Sequence, residues 1–232
     1  MALISKMKKG RKDGGYTRLF GDDDLGSLIS QVHATSISAG TELENLICSL
    51  HTQIMEERSL TDFINGKLPN GTWLIPKRII KKYLKKSMGS DSEPDFIIIV
   101  LTDKKAYVVE IKDGDTFDTK KSQGEVASCR KFAQLFANYL LKNGLFYDVS
   151  IKICCFNQNS HEEIVKGFKH AIRKSEAWTG QDLCRVLGIS YTNILQQRAV
   201  HQKQNLIYFA AELLKIDAMK DCIAQTLSAD NK

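Results

Sequence analysis

The fold is decided by residues 94–112, PDFIIIVLTDKKAYVVEIK. Two runs within this stretch, 96–101 and 106–112, are rich in β-branched residues and have the composition of strands. A short polar segment, 102–105, separates them and has the composition of a hairpin turn. The sequence therefore predicts two antiparallel strands in the middle of the chain.

The predicted turn determines which side chains lie together on the hairpin. If residues 103 and 104 form a two-residue turn, Asp95 lies opposite Lys112. Glu110 then lies opposite Ile97. Because side chains alternate between the two faces of a strand, Asp95, Glu110 and Lys112 share one face. A slip of one residue would separate only Asp95 from this group.

Two carboxylates and an ammonium group on an apolar hairpin indicate a chemical role. Charges on a packed face are unfavourable unless they are paired or bound to an ion. Two carboxylates suit Mg²⁺, which lowers the pKa of a bound water and neutralises charge on a phosphate. A lysine beside the ion can orient that water and stabilise charge on the phosphoryl oxygens. The group favours phosphodiester hydrolysis, and the alternative is a surface ion pair on an exposed hairpin.

The flanking sequence predicts helices and one further strand. In chain order we expect a short helix from about 23, a helix over 41–57, a turn-rich connection over 65–76, a basic helix over 77–86, a helix over 122–142, a strand over 149–156, and helices beginning near 161, near 180 and over about 205–227. Together with the hairpin, these elements predict an α/β fold with a mixed central β-sheet flanked by helices and a helical C-terminal extension.

Composition limits the class of protein. The 232 residues carry 33 Lys and Arg against 27 Asp and Glu, a net charge of +6, which permits nucleic-acid binding without proving it. No apolar run approaches the roughly 18 residues that cross a membrane. Six cysteines without a CxxC pair argue against a zinc ribbon or a disulfide framework and favour reduced thiols in a cytoplasm. Residues 1–22 read as a mobile basic N-terminal arm, and residues 23–232 as a single domain.

The signature Pro94-Asp95 with Glu110-Ile111-Lys112 resembles that of the PD-(D/E)xK nuclease superfamily. The order of the predicted elements resembles the αβββαβ core of that superfamily over about residues 41–157, followed by a helical part over about 160–232. The chain length, without helicase, zinc or iron–sulfur elements, is most similar to that of a type II restriction endonuclease. The first of the three core strands is not evident between residues 60 and 93.

The resemblance implies sequence-specific, Mg²⁺-dependent cleavage of double-stranded DNA that leaves 5′-phosphate and 3′-hydroxyl ends, usually by a homodimer. It implies that Asp95 and Glu110 bind the metal with the Ile111 carbonyl, and that Lys112 lies beside the attacking water. Many members also place a glutamate of the first core helix near the metal, here Glu44 or Glu42. Residues 41–44 are equally a capping-box pattern, so this assignment stays open.

Three further segments are candidates for DNA contact. The basic helix and the loop after the catalytic strand offer phosphate contacts, and the alternative for each is a solvated surface. Residues 179–198 resemble a helix-turn-helix unit that reads base edges, or are two ordinary helices joined at a glycine cap. The candidate residues are Lys81, Lys82, Lys85, Lys86, Lys120, Lys121, Gln123, Asn193, Gln197 and Arg198.

Two other functions remain open at this point. The same catalytic core occurs in DNA repair and junction-resolving nucleases. From a different class, the basic helix and residues 179–198 would suit a DNA-binding module without catalysis.

Overall fold

The computed structural model describes residues 2–10, 14–114 and 119–229, with the side chains of all of these except 119–122 and 229. The helices are α1 (Gly15–Phe20), α2 (Asp23–Leu50), α3 (Glu57–Ile64), α4 (Lys77–Ile79), α5 (Lys85–Met88), α6 (Thr119–Lys142), α7 (His161–Gly167), α8 (Gly180–Leu187), α9 (Tyr191–Leu213) and α10 (Asp217–Ala229). Short 3-10 turns lie at Ile4–Lys6 and Lys174–Glu176, and a π-helical turn, Ile80–Leu84, joins α4 to α5. The strands are β1 (Thr72–Pro76), β2 (Phe96–Val100), β3 (Lys105–Lys112), β4 (Asp148–Cys155) and β5 (Ala177–Thr179).

The five strands form one mixed sheet in the order β1-β2-β3-β4-β5. The pairs β1–β2 and β2–β3 are antiparallel, and β3–β4 and β4–β5 are parallel. Helix α6 makes the crossover that a parallel β3–β4 pair requires. The predicted fold class is therefore confirmed. Apart from α3 and the helical segment between β1 and β2, the elements α2, β1, β2, β3, α6 and β4 have the predicted αβββαβ order.

Contacts between residues divide the described chain into two compact units. One unit contains the described residues up to Leu43 and those from Thr192 onward, and the other contains the described part of Glu44–Tyr191. In the first unit, Ile4 is buried and its carbonyl accepts a hydrogen bond from Gln31 Nε2 at 2.8 Å. Part of the predicted basic arm is thus fixed against α2. The assignment of 23–232 to a single nuclease domain stays a prediction.

In the second unit, one face of the sheet and helix α6 form the main core. The face consists of alternate residues, as the period of two in a strand requires. The buried residues of this core include Ile75, Ile97, Ile99, Ala106, Val108, Ile151 and Ile153 from the sheet and Val126, Cys129, Phe132 and Phe136 from α6. Asp95 and Glu110 continue the same face at one end, because β2 and β3 pair in a fixed register.

The register of the hairpin differs from the prediction by two residues. Val100 pairs with Lys105, so residues 101–104 form a four-residue turn. Lys104 has a φ of 52°, in the left-handed region, within this turn. The predicted two-residue turn is wrong, and Ile97 faces Val108 instead of Glu110. A shift of two residues keeps every side chain on its original face, so the shared face of the charged residues survives the error.

Two predicted boundaries in the first third of the chain are wrong. Residues 23–50 form one continuous helix where two were expected, because the turn-like pair Gly40-Thr41 lies inside α2 without breaking it. The turn-rich connection over 65–76 contains β1, the core strand that the sequence did not reveal. The strand has only five residues and lies among prolines and glycines, so its sequence resembles a turn.

The C-terminal prediction needs a similar correction. The expected helix over 205–227 is two helices, since α9 ends at Leu213 and α10 begins at Asp217. Helix α9 begins at Tyr191 and so includes the second helix predicted within 179–198. Strand β5 was not predicted. None of the described helices combines the length and the hydropathy needed to span a bilayer.

Candidate active site

Asp95 anchors the site at the start of β2. The residue directly precedes Phe96 and is 5% exposed. Its Oδ2 accepts the backbone N–H of Ile111 at 2.9 Å, and its Oδ1 accepts a hydrogen bond from Lys77 Nζ at 2.7 Å. Both carboxylate oxygens are therefore held in place, one by the neighbouring strand and one by a cation.

Glu110 and Lys112 lie near the end of β3, on the face that Asp95 continues. Lys112 Nζ is 3.4 Å from Glu110 Oε1 and 2.6 Å from Glu125 Oε2. Glu125 comes from α6, which packs on this face. The structure thus brings together the three predicted residues, and it adds a second carboxylate that holds the lysine.

Burial and charge perturb the acids of this group. Burial, followed by the charge of Asp95, raises the pKa of Glu110 to about 7, although Lys112 and Lys77 pull it down. Burial alone would lower the pKa of Lys112, but its hydrogen bond to Glu125 and the nearby carboxylates raise it above the ordinary value. Perturbed acids at the end of a sheet are typical of functional sites.

Glu44 interacts electrostatically with this group. Burial and the charge of Asp95 raise the pKa of Glu44 to about 7, while Lys77 lowers it. Glu42 Oε1 instead lies 3.7 Å from His201 Nδ1, and both of these residues belong to the first unit. Since Thr41 is inside α2, it cannot cap the start of a helix, and the capping-box alternative for Glu44 is wrong.

Sequence reasoning missed Lys77 and Glu125 as neighbours of the site. Burial would lower the pKa of Lys77, but its hydrogen bond to Asp95 and the surrounding carboxylates raise it. Lys77 directly follows Pro76, the last residue of β1. Because β1 was not predicted, the sequence offered no reason to place Lys77 near Asp95. For Glu125 the period of α6 was the available signal, since Glu125, Cys129 and Phe132 follow one another on the side that packs on the sheet.

The donor set fits a magnesium ion. Asp95 and Glu110 could supply carboxylate oxygens, and the backbone carbonyl of Ile111 lies between Glu110 and Lys112 on β3. Among the described residues no three His, Cys, Asp or Glu side chains form a complete metal cage. Mg²⁺ keeps several waters and takes only one or two carboxylates, so the set matches its coordination. Burial raises the pKa of Glu110 most, and a bound cation would relieve the repulsion by Asp95 that adds to it.

A cavity of about 310 Å³ lies beside the acids. Its lining includes Pro94, Glu110 and Glu125, together with Cys129 and Phe132 from the buried side of α6. The cavity leaves room for ordered water next to Glu110.

The predicted phosphate-binding residues lie in two segments of the same unit. In the helical segment 77–88, Lys81, Lys82 and Lys86 are exposed, while Lys85 pairs with Glu93 at 2.5 Å. Gln123 is exposed near the start of α6. The side chains of Lys120 and Lys121, and the loop residues 115–118, lie outside the described residues.

The segment 179–198 contains two helices and a short turn. Gly188 ends α8 with a φ of 66°, as a glycine cap does, and α9 begins at Tyr191. Asn193 is exposed, and its Oδ1 accepts a hydrogen bond from Gln197 Nε2 at 3.1 Å. Arg198 is 5% exposed, so the structure does not present it as a base-reading side chain. Two helices joined by a short turn are compatible with a helix-turn-helix unit. They are equally compatible with two ordinary helices joined at a glycine cap.

Comparison with known proteins places the chain in a family. It is 41% identical over 220 residues to the type II restriction enzyme HhaII of Haemophilus parahaemolyticus, covering 91% of this chain and 94% of that protein. No protein-family model gives a significant match. No solved structure does so either. Because the identity extends over nearly the full length of both proteins, the chain belongs to the type II restriction enzymes.

Proposed function

We propose that this protein is a sequence-specific endonuclease that hydrolyses phosphodiester bonds of double-stranded DNA with Mg²⁺ and leaves 5′-phosphate ends. The observation that carries the proposal is the meeting of Asp95, Glu110 and Lys112 at one end of the β2–β3 hairpin. Membership of the type II restriction enzymes supports DNA as the substrate. The group also matches the PD-(D/E)xK pattern.

Asp95, Glu110 and the carbonyl of Ile111 would hold the ion. When bound, Mg²⁺ supplies an activated water and neutralises charge on the scissile phosphate. Lys112 orients the attacking water and stabilises charge on the phosphoryl oxygens. Glu125 fixes Lys112 through its ion pair at 2.6 Å, so the ammonium group does not sample solvent freely.

Glu44 supplies a further carboxylate near Asp95. With a pKa of about 7 it exchanges a proton in the neutral pH range. A group of this kind can accept a proton from water or return one to the leaving oxygen. We assign it this supporting role, and leave the metal ligands as Asp95, Glu110 and Ile111.

The DNA backbone would lie along the basic segment. Lys81, Lys82 and Lys86 present exposed ammonium groups on the helical segment that follows Lys77. Binding a polyanion there releases counterions, which gives affinity without sequence preference. Gln123 and Asn193 are exposed polar side chains that can contact bases or phosphates.

The assembly and the compartment are part of the proposal. Two active sites can cut both strands of a duplex in one binding event, so we expect a homodimer, which sedimentation of the protein with and without DNA would test. The described cysteines are all free thiols, and Cys129, Cys154, Cys155 and Cys184 are buried. Free thiols suit a reducing cytoplasm, where the DNA also is.

Incubation with plasmid DNA tests the function. We expect discrete fragments with Mg²⁺ and intact plasmid with a chelator, and sequencing the fragment ends would give the recognition site and the end chemistry. Asp95→Asn should leave the plasmid intact. Preferential cutting of branched DNA would favour a junction-resolving nuclease instead. A mobility shift without cutting under any divalent cation would favour a DNA-binding module.

A further inference from the structure

Lys77 forms an asymmetric ion pair with Asp95. It is the first residue of α4 and follows Pro76, the last residue of β1. The Lys77 side chain is 43% exposed, whereas the Asp95 side chain is 7% exposed, and the two are joined by a contact of 2.7 Å. A buried carboxylate is therefore met by a cation that reaches in from solvent.

Among the described residues, Lys77 is the cation in direct contact with Asp95. Lys112, the other ammonium group of the site, lies against Glu125 at 2.6 Å. The second oxygen of Asp95 accepts the uncharged N–H of Ile111. A buried carboxylate without a cation is strongly unfavourable, so Lys77 compensates the charge of Asp95.

We propose that Lys77 is a built-in counter-ion, which holds Asp95 while no metal is bound and leaves Asp95 Oδ1 when a divalent cation binds. This displacement rests on the function proposed above, since it needs Asp95 to be a metal ligand. A cation on Asp95 would lie within a few ångströms of the ammonium group at Oδ1. Like charges at that distance repel strongly in a partly buried site, so the two occupants compete.

The displaced side chain of Lys77 can move into solvent. Its side chain already reaches solvent, and the helical segment that it begins continues with the exposed Lys81 and Lys82. A DNA phosphate bound along this segment would accept the released ammonium group. DNA then favours the displaced state, and by reciprocity metal binds more tightly when DNA is present.

The test compares Lys77→Met with Lys85→Met in the full-length protein without DNA. Lys85 is a matched control, because it lies in the same helical segment and pairs with a partly buried carboxylate, Glu93, at 2.5 Å. Thermal unfolding is followed with chelator and with Mg²⁺, and Mn²⁺ affinity is read from the electron paramagnetic resonance signal of the free ion. Lys77→Arg keeps the positive charge and completes the set.

Competition predicts a specific pattern. In chelator, Lys77→Met melts below wild type, and the difference closes with saturating Mg²⁺. Its Mn²⁺ dissociation constant falls by about tenfold, as the loss of a like charge beside the ion requires. Lys85→Met shifts the melting temperature equally with and without metal, and Lys77→Arg behaves as wild type does.

Two results would overturn the proposal in different ways. If Lys77→Met binds Mn²⁺ no more tightly than wild type, or stays destabilised at saturating Mg²⁺, Lys77 is an ordinary structural ion pair while the metal site stands. If wild type, Lys77→Met and Asp95→Asn all fail to take up Mn²⁺ and wild type leaves DNA intact, the proposed function itself is wrong.

Discussion

The two ends of the β2–β3 hairpin carry similar charges in very different surroundings. At the turn, Lys105 Nζ lies 3.9 Å from Asp103 Oδ2, and both side chains are about half exposed. At the open end, the carboxylate of Asp95 is buried and held by two partners. Water screens the first pair, whereas the carboxylate of Asp95 is shielded from it. The same residue types therefore form a loose surface contact at one end and a perturbed acidic group at the other. Burial makes the difference.

The largest expected effect comes from removing the ammonium group of Lys112 at the open end. We expect Lys112→Ala to slow DNA cleavage by about 10²–10³-fold, because charge on the phosphoryl oxygens loses its partner. DNA binding should persist, since phosphate contacts elsewhere supply the affinity. Single-turnover cleavage and mobility shift on the same duplex measure the two quantities. Equal loss of both would contradict the role given to Lys112.

A second test uses the raised pKa of Glu110. Its pKa moves from the ordinary 4.5 to about 7 on folding. Between these values the folded protein keeps a proton that the unfolded chain has lost, so stability falls as pH rises through that window. We expect Glu110→Gln to reduce this loss between about pH 5 and pH 8 by about 2 kcal/mol.

Urea unfolding in chelator at several pH values measures this loss. Glu44 contributes a residual slope of the same sign, because its pKa is also raised to about 7. Saturating Mg²⁺ should flatten the slope of wild type, since the ion favours the charged form. Parallel curves for wild type and variant would show that Glu110 does not titrate in this range.

A third test uses exposed lysines of the helical segment that follows β1. Lys81→Ala with Lys86→Ala should weaken DNA binding by about tenfold and reduce the slope of log affinity against log salt by about 2. The cleavage rate of bound DNA should not change, because in the part of the chain that the structure describes neither Lys81 nor Lys86 contacts Asp95 or Glu110. Lys105→Ala at the turn is the matched control. A reduced rate with unchanged affinity would place these lysines in the chemistry.

The smallest effect is expected at the turn end. Asp103→Asn should change the free energy of unfolding by less than about 0.5 kcal/mol, because exposed ion pairs contribute little. Cleavage should match that of wild type. Should this variant prove as damaging as a change at the open end, burial would not be what separates the two ends.

The alternation of the hairpin was predictable, although its register was not. The β-branched runs in 94–112 fix the strands, and the period of two fixes which side chains share a face. The length of the turn follows from the pairing of Val100 with Lys105, which the alternating pattern does not specify. The predicted grouping of Asp95, Glu110 and Lys112 on one face remained correct, because the register differed by an even number of residues.

The neighbours of the site were beyond sequence reasoning for a physical reason. Lys77 reaches Asp95 because β1 lies beside β2, and Glu125 reaches Lys112 because α6 packs on β3. Both contacts join residues that are distant in sequence, so no local sequence pattern predicts them. Glu44 shows the same limit, since only the continuity of α2 distinguishes a catalytic candidate from a cap.

The four-residue turn has a practical consequence for protein engineering. β2 is held by β1 on one side, and β3 is held by β4 on the other, so the turn is not needed to align the two strands. Its residues Thr102, Asp103 and Lys104 are exposed. Exposed loop tips of this kind accept inserted sequence readily. A short epitope or tetracysteine tag placed after Thr102 should leave Asp95 and Glu110 where they are.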